Sequence, residues 1–550
     1  MARVAPRISR STDRWTLWLA LFALVLTTLT HHGVFNLQFW NDDFLTLRPW
    51  SRAEVISALT GSWDPLGSTD PYHRPLTALY QAGLFEVFGL HAKALHAVSG
   101  VLLAGISWGL GLFVWRETGL RWLAWWTVAL CVIHPAWPDT GGTWVFHQFQ
   151  LLGCALTTLV LLVWQRRRSG SARGWWPVFA LLVVGFYVKE DNLMLLPAVL
   201  IAQTVRARIA GDVPAPSRAL WGAALLLAMG LLGFRAWLFP HFTYPRFELA
   251  AWLSATPEVR NLIHGPYHTL FVIPGGWASH AATVVLSSFS VLGLIAVARA
   301  PRAPAASVWM LGASVLLSVD LPLVVTSGPT RDHLVVLAAV LILSASASLL
   351  VPWAQRVLGR RASWSLLPVC AIVLASATQM FIGQYVPCSG GDREATAVTL
   401  SWTEVPSDLR RYLAGRELMC AAGTARPPVE ALGAVMWRVG PWLTDAATGA
   451  SLRWTTDHAV ALVRRDAHVV TISVRHPEAT AAAPVVVLID GDIDSPVRVE
   501  LRSPEWHVVR PSLVVGLWSR VRSSYRIDVQ VSVAPGLGSR GVQIRPLGIE

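Results

Sequence analysis

The sequence predicts a polytopic α-helical membrane protein carrying an extracytoplasmic β-sandwich at its C-terminal end. Three features lead there. Only 14% of the 550 residues are charged and 53% are hydrophobic, whereas a soluble domain carries about 25% charged residues. Arginine clusters recur between alternate apolar stretches. Beyond about residue 385 the long apolar stretches give way to short runs that alternate apolar and polar residues.

A helix needs about 20 apolar residues to cross the hydrocarbon core, and on that measure about eleven spans are expected. They fall near 15–34, 93–115, 122–137, 149–165, 175–189, 191–206, 218–239, 268–297, 305–325, 332–352 and 363–384. No small-residue cleavage site follows the first, which reads as a retained anchor. The stretch 75–90 is apolar but short and reads as an amphipathic helix lying in the outer interface.

Cytoplasmic loops of membrane proteins are enriched in Lys and Arg. Arg3, Arg7, Arg10 and Arg14 precede the first span, and Arg116, Arg121, Arg166, Arg167, Arg168, Arg173, Arg206, Arg208, Arg218, Arg299, Arg302, Arg356, Arg360 and Arg361 all fall on that same side. The N-terminus is therefore expected in the cytoplasm of a bacterial inner or plasma membrane, and the C-terminal region outside. The expected organisation is a membrane domain over 1–384, with a first external loop at 35–92, a mixed connector over 385–433, and a β-sandwich over 434–550.

The net charge is +12, with only two lysines, Lys93 and Lys189. The surplus follows from the arginine-rich loops, and no basic–aromatic patch points to nucleic acid. Cys131, Cys154 and Cys370 fall in spans, whereas Cys388 and Cys420 lie in the external part, where a disulfide is permitted but not required. In the tail, runs at 467–476, 483–490, 496–503, 507–516, 525–533 and 541–549 are broken by Gly, Pro and Asp, as in an antiparallel sandwich. Trp437, Trp442, Trp454, Trp506 and Trp518 suit its core, or alternatively a sugar-stacking platform.

Charges inside or at the ends of membrane helices are functional candidates because burying them is costly. Asn41-Asp42-Asp43-Phe44 follows the first span and supplies either a general base or a helix-capping end. Tyr72-His73-Arg74-Pro75-Leu76 closes the first external loop, with Arg74 suited to an anionic head group or phosphate. His134-Pro135 opens a polar external turn. Lys189-Glu190-Asp191-Asn192 separates two close spans; its lysine calls for a phosphate or for a carboxylate in a structural pair. Thr326–His333 forms a turn whose Arg331 fits a bidentate phosphate contact or an interfacial anchor.

The order of these motifs resembles the GT-C superfamily of integral-membrane glycosyltransferases, in particular the protein O-mannosyltransferase-like branch, over roughly 15–350. The elements are Asp-Asp after the first span, Tyr-x-Arg-Pro-Leu before an amphipathic helix, His-Pro after the third span, Lys-Glu near the fifth, and an arginine turn before a late span. No tetratricopeptide repeats follow, unlike in bacterial relatives, and His73 stands where the family usually has an aromatic residue. The resemblance implies an inverting transfer at the external face, from a polyprenyl-phosphate sugar to an acceptor hydroxyl on a protein, lipid or glycan. It implies Asp42 as catalytic base, Asp43 in support, and Arg331 on the donor phosphate, with Lys189 or Arg74 assisting and His73, Glu190 and His134 as supporting residues. It implies no cofactor. Divalent-metal ligation by Asp42 and Asp43 is the alternative not favoured. Two other classes compete: a non-catalytic scaffold or sensor in envelope assembly, and a secondary transporter, against which stands the lack of two similar halves.

Overall fold

The structure, a computed structural model, describes residues 10–36, 47–62, 73–134, 147–167, 172–211, 213–238, 290–327, 336–352, 434–439, 443–444, 451–533 and 541–549, with a few single positions between them. The chain divides into two compact units. One comprises Met1–Phe35, Ile56–Ala78 and His96–Tyr385; the other comprises Asn36–Val55, Leu79–Leu95 and Val386–Glu550. Two pieces of the expected first loop thus group with the C-terminal residues.

The helices in chain order are α1 (Arg10–Thr30), α2 (Arg52–Thr60), α3 (Pro75–Phe88), α4 (Ala92–Thr118), α5 (Arg121–Val132), α6 (Gln148–Arg167), α7 (Ala172–Val188), α8 (Leu195–Ile209) and α9 (Arg218–Leu238). After them come α10 (Ser290–Arg299), α11 (Pro304–Ser327) and α12 (Val336–Pro352). Among the described residues, four helical stretches are long and apolar enough to cross a membrane: α4, α6, the stretch Glu190–Ile209 that includes α8, and α9. Shorter apolar helices occupy most other expected spans. The span expected at 122–137 is the 12-residue α5, which reaches only about 18 Å at 1.5 Å per residue. The last expected span, 363–384, lies outside the described residues.

Why these helices associate is visible on α9. Leu220, Ala224, Leu231 and Arg235 recur at helical spacing and are buried, whereas Leu225, Leu226, Met229 and Trp237 are exposed. An apolar exposed face suits lipid, and the polar residue turns inward. In lipid, close packing rather than the hydrophobic effect holds helices together, so small residues mark the contacts. At Gly109 a Cβ would collide with the Thr158 side chain, bringing α4 against α6.

The second unit is built on strands β1 (Ala434–Val439), β2 (Leu443–Thr444), β3 (Ser451–Arg464), β4 (Val470–Arg475), β5 (Val485–Gly491), β6 (Val497–Leu501) and β7 (His507–Val509). A short helix, α13 (Leu517–Arg522), precedes β8 (Ser524–Ser532), β9 (Gln543–Ile544) and β10 (Gly548–Ile549). All pairings are antiparallel. β3 is the shared strand. Its second half pairs with β1 and β8, and the latter continues to β5 and β6. Its first half pairs with β9, which leads to β4 and its neighbours β7 and β10. The inward residues of both sheets, including Ala461, Ile527, Val487, Val474 and Ile544, form one core, so the tail is a sandwich.

The helix expected over 75–90 is present as α3, and from Leu79 onward it packs within this second unit. Phe85 is buried edge-on against Trp437, with ring centroids 5.4 Å apart. Glu86 pairs with Arg526, and the Arg522 guanidinium donates to the Glu86 carbonyl (3.1 Å). Gly89 follows with φ +55°, and a Cβ there would press on Leu462 at 3.2 Å. Of the tail tryptophans, Trp437 is core, Trp454 and Trp506 are half-buried, Trp518 is exposed, and Trp442 lies outside the described residues.

Candidate active site

Three helix ends meet in the first unit. Chain α7 ends at Val188, a 3-10 turn spans Glu190–Met194, and α8 starts at Leu195, while α9 returns to the same level at its last turn. Lys189 breaks the helix by adopting an extended backbone, φ −154° and ψ 126°. Asn192 then braces the α7 end, donating Nδ2 to the carbonyls of Gly185 (3.2 Å) and Lys189 (3.0 Å), each of which also accepts a backbone N–H. Its Oδ1 accepts from Thr157 on α6 at 2.9 Å. Thr77, in the first turn of α3, donates to the Val188 carbonyl at 2.6 Å.

On this frame sits a buried charge cluster. Arg74 donates Nε and Nη2 to the two Glu190 oxygens at 2.9 and 2.8 Å, a bidentate fork. Both side chains are only 8% exposed. Pro75 at the first position of α3 needs no hydrogen-bond acceptor for its nitrogen and so begins the helix directly after Arg74. The Arg74 guanidinium also lies over the Phe149 ring, 5.2 Å from its centroid. Arg235 of α9 approaches Glu190 at 3.8 Å. Lys189 pairs with Asp191 at 2.9 Å. His73 is buried beside them, with Nδ1 2.9 Å from the Gly61 carbonyl and its ring edge-on to Tyr187 and Phe234.

Of the residues singled out in the sequence, Arg74, Lys189, Glu190 and His73 therefore share one neighbourhood. His134 is buried just past the end of α5. Asp42, Asp43 and Arg331 lie outside the described residues, as do Cys388 and Cys420. The edge of Arg74 expected to serve a phosphate is engaged by Glu190, and Lys189 has the carboxylate partner named as its structural alternative. Arg235 was missed. Its signal was present: a lone charge within an apolar span, which is a functional candidate by default. Among the described residues no three His, Cys, Asp or Glu side chains gather as a metal site.

A second polar group lies at the opposite end of the same helices. Arg206 near the end of α8 pairs with Glu117 at the end of α4 and donates to Ser307 at the start of α11 (3.3 Å). Gln165 of α6 donates to the Phe113 carbonyl at 3.0 Å.

No family model and no curated protein matches the chain. Among solved structures it is similar to the cryo-EM structure of arabinosyltransferase EmbB from Mycobacterium smegmatis, at 13% identity and a TM-score of 0.38, over 100% of this chain and 66% of that one. The chain thus spans slightly less than two thirds of that protein's length, and so distant a likeness decides neither fold nor chemistry.

Proposed function

We propose that the chain is an integral-membrane glycosyltransferase of the GT-C type, moving a sugar from a polyprenyl-phosphate donor to an acceptor hydroxyl at the external face. The observation that carries this reading is the group of buried Arg74, Lys189, Arg235 and Glu190 with half-buried Asp191 at one end of the membrane helices. Five charges in such a place are expensive, and a site for a lipid phosphate gives them a use. In the proposed step Asp42 takes the proton of the acceptor hydroxyl, whose oxygen bonds to the anomeric carbon as the bond to the phosphate oxygen breaks. The lipid phosphate leaves with the electron pair, so it needs neutralising charge rather than a proton. Attack in line inverts the anomeric centre. Arg331 is assigned to the phosphate, with Lys189 assisting and Arg74 held by Glu190 as a positioning residue. Asp43 supports the base. Mannose-like specificity rests on the motif order alone.

The rival reading as a non-catalytic scaffold draws on the same ion pairs, because Arg74 and Lys189 both have carboxylate partners. Transfer from a radiolabelled polyprenyl-phosphate sugar to membrane acceptors decides between them. Asp42→Asn keeps shape and removes the proton acceptor, so activity should fall about 10²–10⁴-fold with expression unchanged. Wild-type turnover in both Asp42→Asn and Asp43→Asn would exclude this pair as the base, and an absence of transfer dependent on the wild-type chain would exclude the enzyme.

A further inference from the structure

We infer that the apolar run Val514-Val515-Gly516-Leu517-Trp518, at the start of α13, is a membrane-contact tip that enters the headgroup layer on the side of the bilayer where α4 begins. Its partner is a phospholipid surface. Val514, Val515, Leu517 and Trp518 are 45%, 48%, 69% and 51% exposed. A contiguous exposed apolar patch marks a contact with protein or membrane. The backbone beneath these side chains is braced. Leu513 N–H donates to the His468 carbonyl (2.9 Å), and Val514 N–H donates to the Asp492 carbonyl (3.0 Å). Gly516 N–H donates to Ser519 Oγ (2.9 Å), which donates in turn to the Gly516 carbonyl (3.0 Å). The four apolar side chains are thus presented outward from a fixed turn.

What covers them follows from α4. The segment Leu79–Leu95 belongs to the same unit as the sandwich. His91 Nδ1 lies 2.8 Å from the Val521 carbonyl in α13, and the Arg522 guanidinium donates to the Glu86 carbonyl at 3.1 Å. The next residue after His91, Ala92, begins α4, whose 27 residues reach about 40 Å. A bilayer with its interfacial layers is about 40–45 Å thick. Arg116 marks the opposite end of α4. Ala92 therefore stands at headgroup depth, and so does the Val521 carbonyl bonded beside it. Leu517 and Trp518 precede Val521 by four and three positions. Residues so spaced share a helix face, which puts both within about 6 Å of Val521 along the axis.

The residue types suit that depth. Tryptophan gathers at membrane–water interfaces, where its ring is sheltered and its N–H stays wet. Lys93 and Arg520 are exposed and flank the junction, two residues after His91 and one before Val521. Their long stems can lie along the lipid while their charges meet phosphate groups. Lipid is present at this depth whether or not another protein binds, which makes it the occupant; a second copy of the chain is the competitor. The inference rests on α4 crossing the membrane, as the proposed function does, and on no step of sugar transfer.

The test uses the full chain in nanodiscs of mixed phosphatidylcholine and phosphatidylglycerol. A photo-crosslinking p-benzoylphenylalanine replaces Leu517, Trp518, Leu226 or Ala482 in turn, and lipid adducts are read by mass spectrometry. All four positions are exposed, and an unchanged thermal transition shows that each variant remains folded. Leu226 lies on the exposed apolar face of α9 and reports membrane lipid. Ala482 precedes β5, whose seven residues carry the chain about 20 Å to Gly491, beside the Asp492 carbonyl that braces the tip. Lipid adducts are expected at Leu226, Leu517 and Trp518, with their loss at Ala482. Adducts at Leu226 with none at either tip position would overturn this inference and leave the membrane reading standing, whereas none at any position would overturn both. Equal yields at Ala482 and Trp518, or tip adducts that join two copies of the chain in place of lipid, would also overturn it.

Discussion

Glu190 is the residue on which the buried cluster turns, because it faces Arg74 at 2.8 Å and Arg235 at 3.8 Å. Removing one partner of a buried pair leaves an uncompensated charge and costs about 3–5 kcal/mol. Glu190→Gln should therefore lower the thermal midpoint in detergent markedly, and more than Arg235→Gln, whose contact with Glu190 is the longer of the two. Equal midpoints for wild type and Glu190→Gln would show that the pair is not structural. Asp528 makes a second prediction, in the sandwich. Burial works to raise its carboxyl, but hydrogen bonds from His458 and Arg526 and their charges outweigh it and hold the group below its ordinary value. A depressed carboxylate adds stability above its unfolded value near 4, and that stability is lost as pH falls through the folded value. Denaturant midpoints should then drop below about pH 4, and Asp528→Asn should flatten that slope while lowering stability at neutral pH. At this scale the sequence was half legible. Charges in apolar surroundings stood out, and the same logic covers Arg235. Which carboxylate meets which arginine did not, since Arg74 and Glu190 are 116 positions apart.

Among the elements, helix contacts depend on residues too small to notice in a hydropathy scan. A Cβ on Gly312 of α11 would stand 2.9 Å from the Ala338 carbonyl oxygen and 2.9 Å from the Ile342 side chain of α12. Backbone cannot yield as a flexible side chain does, so Gly312→Val should push the helices apart and cost about 1–3 kcal/mol. Gly222→Val, at a position open to space, is the control. Proteolytic susceptibility in micelles should rise for the first variant and stay unchanged for the second. Strand reading shows a different limit. The runs expected at 467–476, 483–490, 496–503 and 525–533 each contain one strand of the sheet, because one face of each is buried and the other wet. The 14-residue β3 was not among those runs. From Ala459 to Val463 every side chain is at most 1% exposed. A strand buried on both faces shows a continuous apolar run, which periodicity cannot separate from a helix. The short helix at 75–88 shows the converse limit. Its apolar face was legible, but what covers that face depends on Trp437 and Arg526, hundreds of positions away.

For the whole molecule, the two polar groups of the helical unit bear on orientation. Glu190 opens the turn before α8 and Arg206 sits near that helix's end, so the two lie about 24 Å apart at 1.5 Å per residue. That is most of the hydrocarbon thickness of about 30 Å. The Glu190 end carries nearly balanced charge, with the three cations Arg74, Lys189 and Arg235 set against the two carboxylates of Glu190 and Asp191. The Arg206 end carries the runs Arg166–Arg167 and Arg206–Arg208, together with Arg116, Arg121, Arg299 and Arg302. Cytoplasmic loops gather positive charge during insertion, and carboxylates count for little in that rule. The Arg206 end is therefore expected inside. A reporter enzyme active only in the cytoplasm should work when fused after Arg168 or Arg361, and one active only outside should work after Gly390. This orientation can fail independently of the fold, since inverting the molecule leaves every internal contact intact. A cytoplasmic signal after Gly390 would place the Glu190 cluster and the sandwich on opposite sides or both inside. The polyprenyl-phosphate reading at an external face would then be lost, whereas lipid contact by Leu517 and Trp518 would still be open to test by crosslinking.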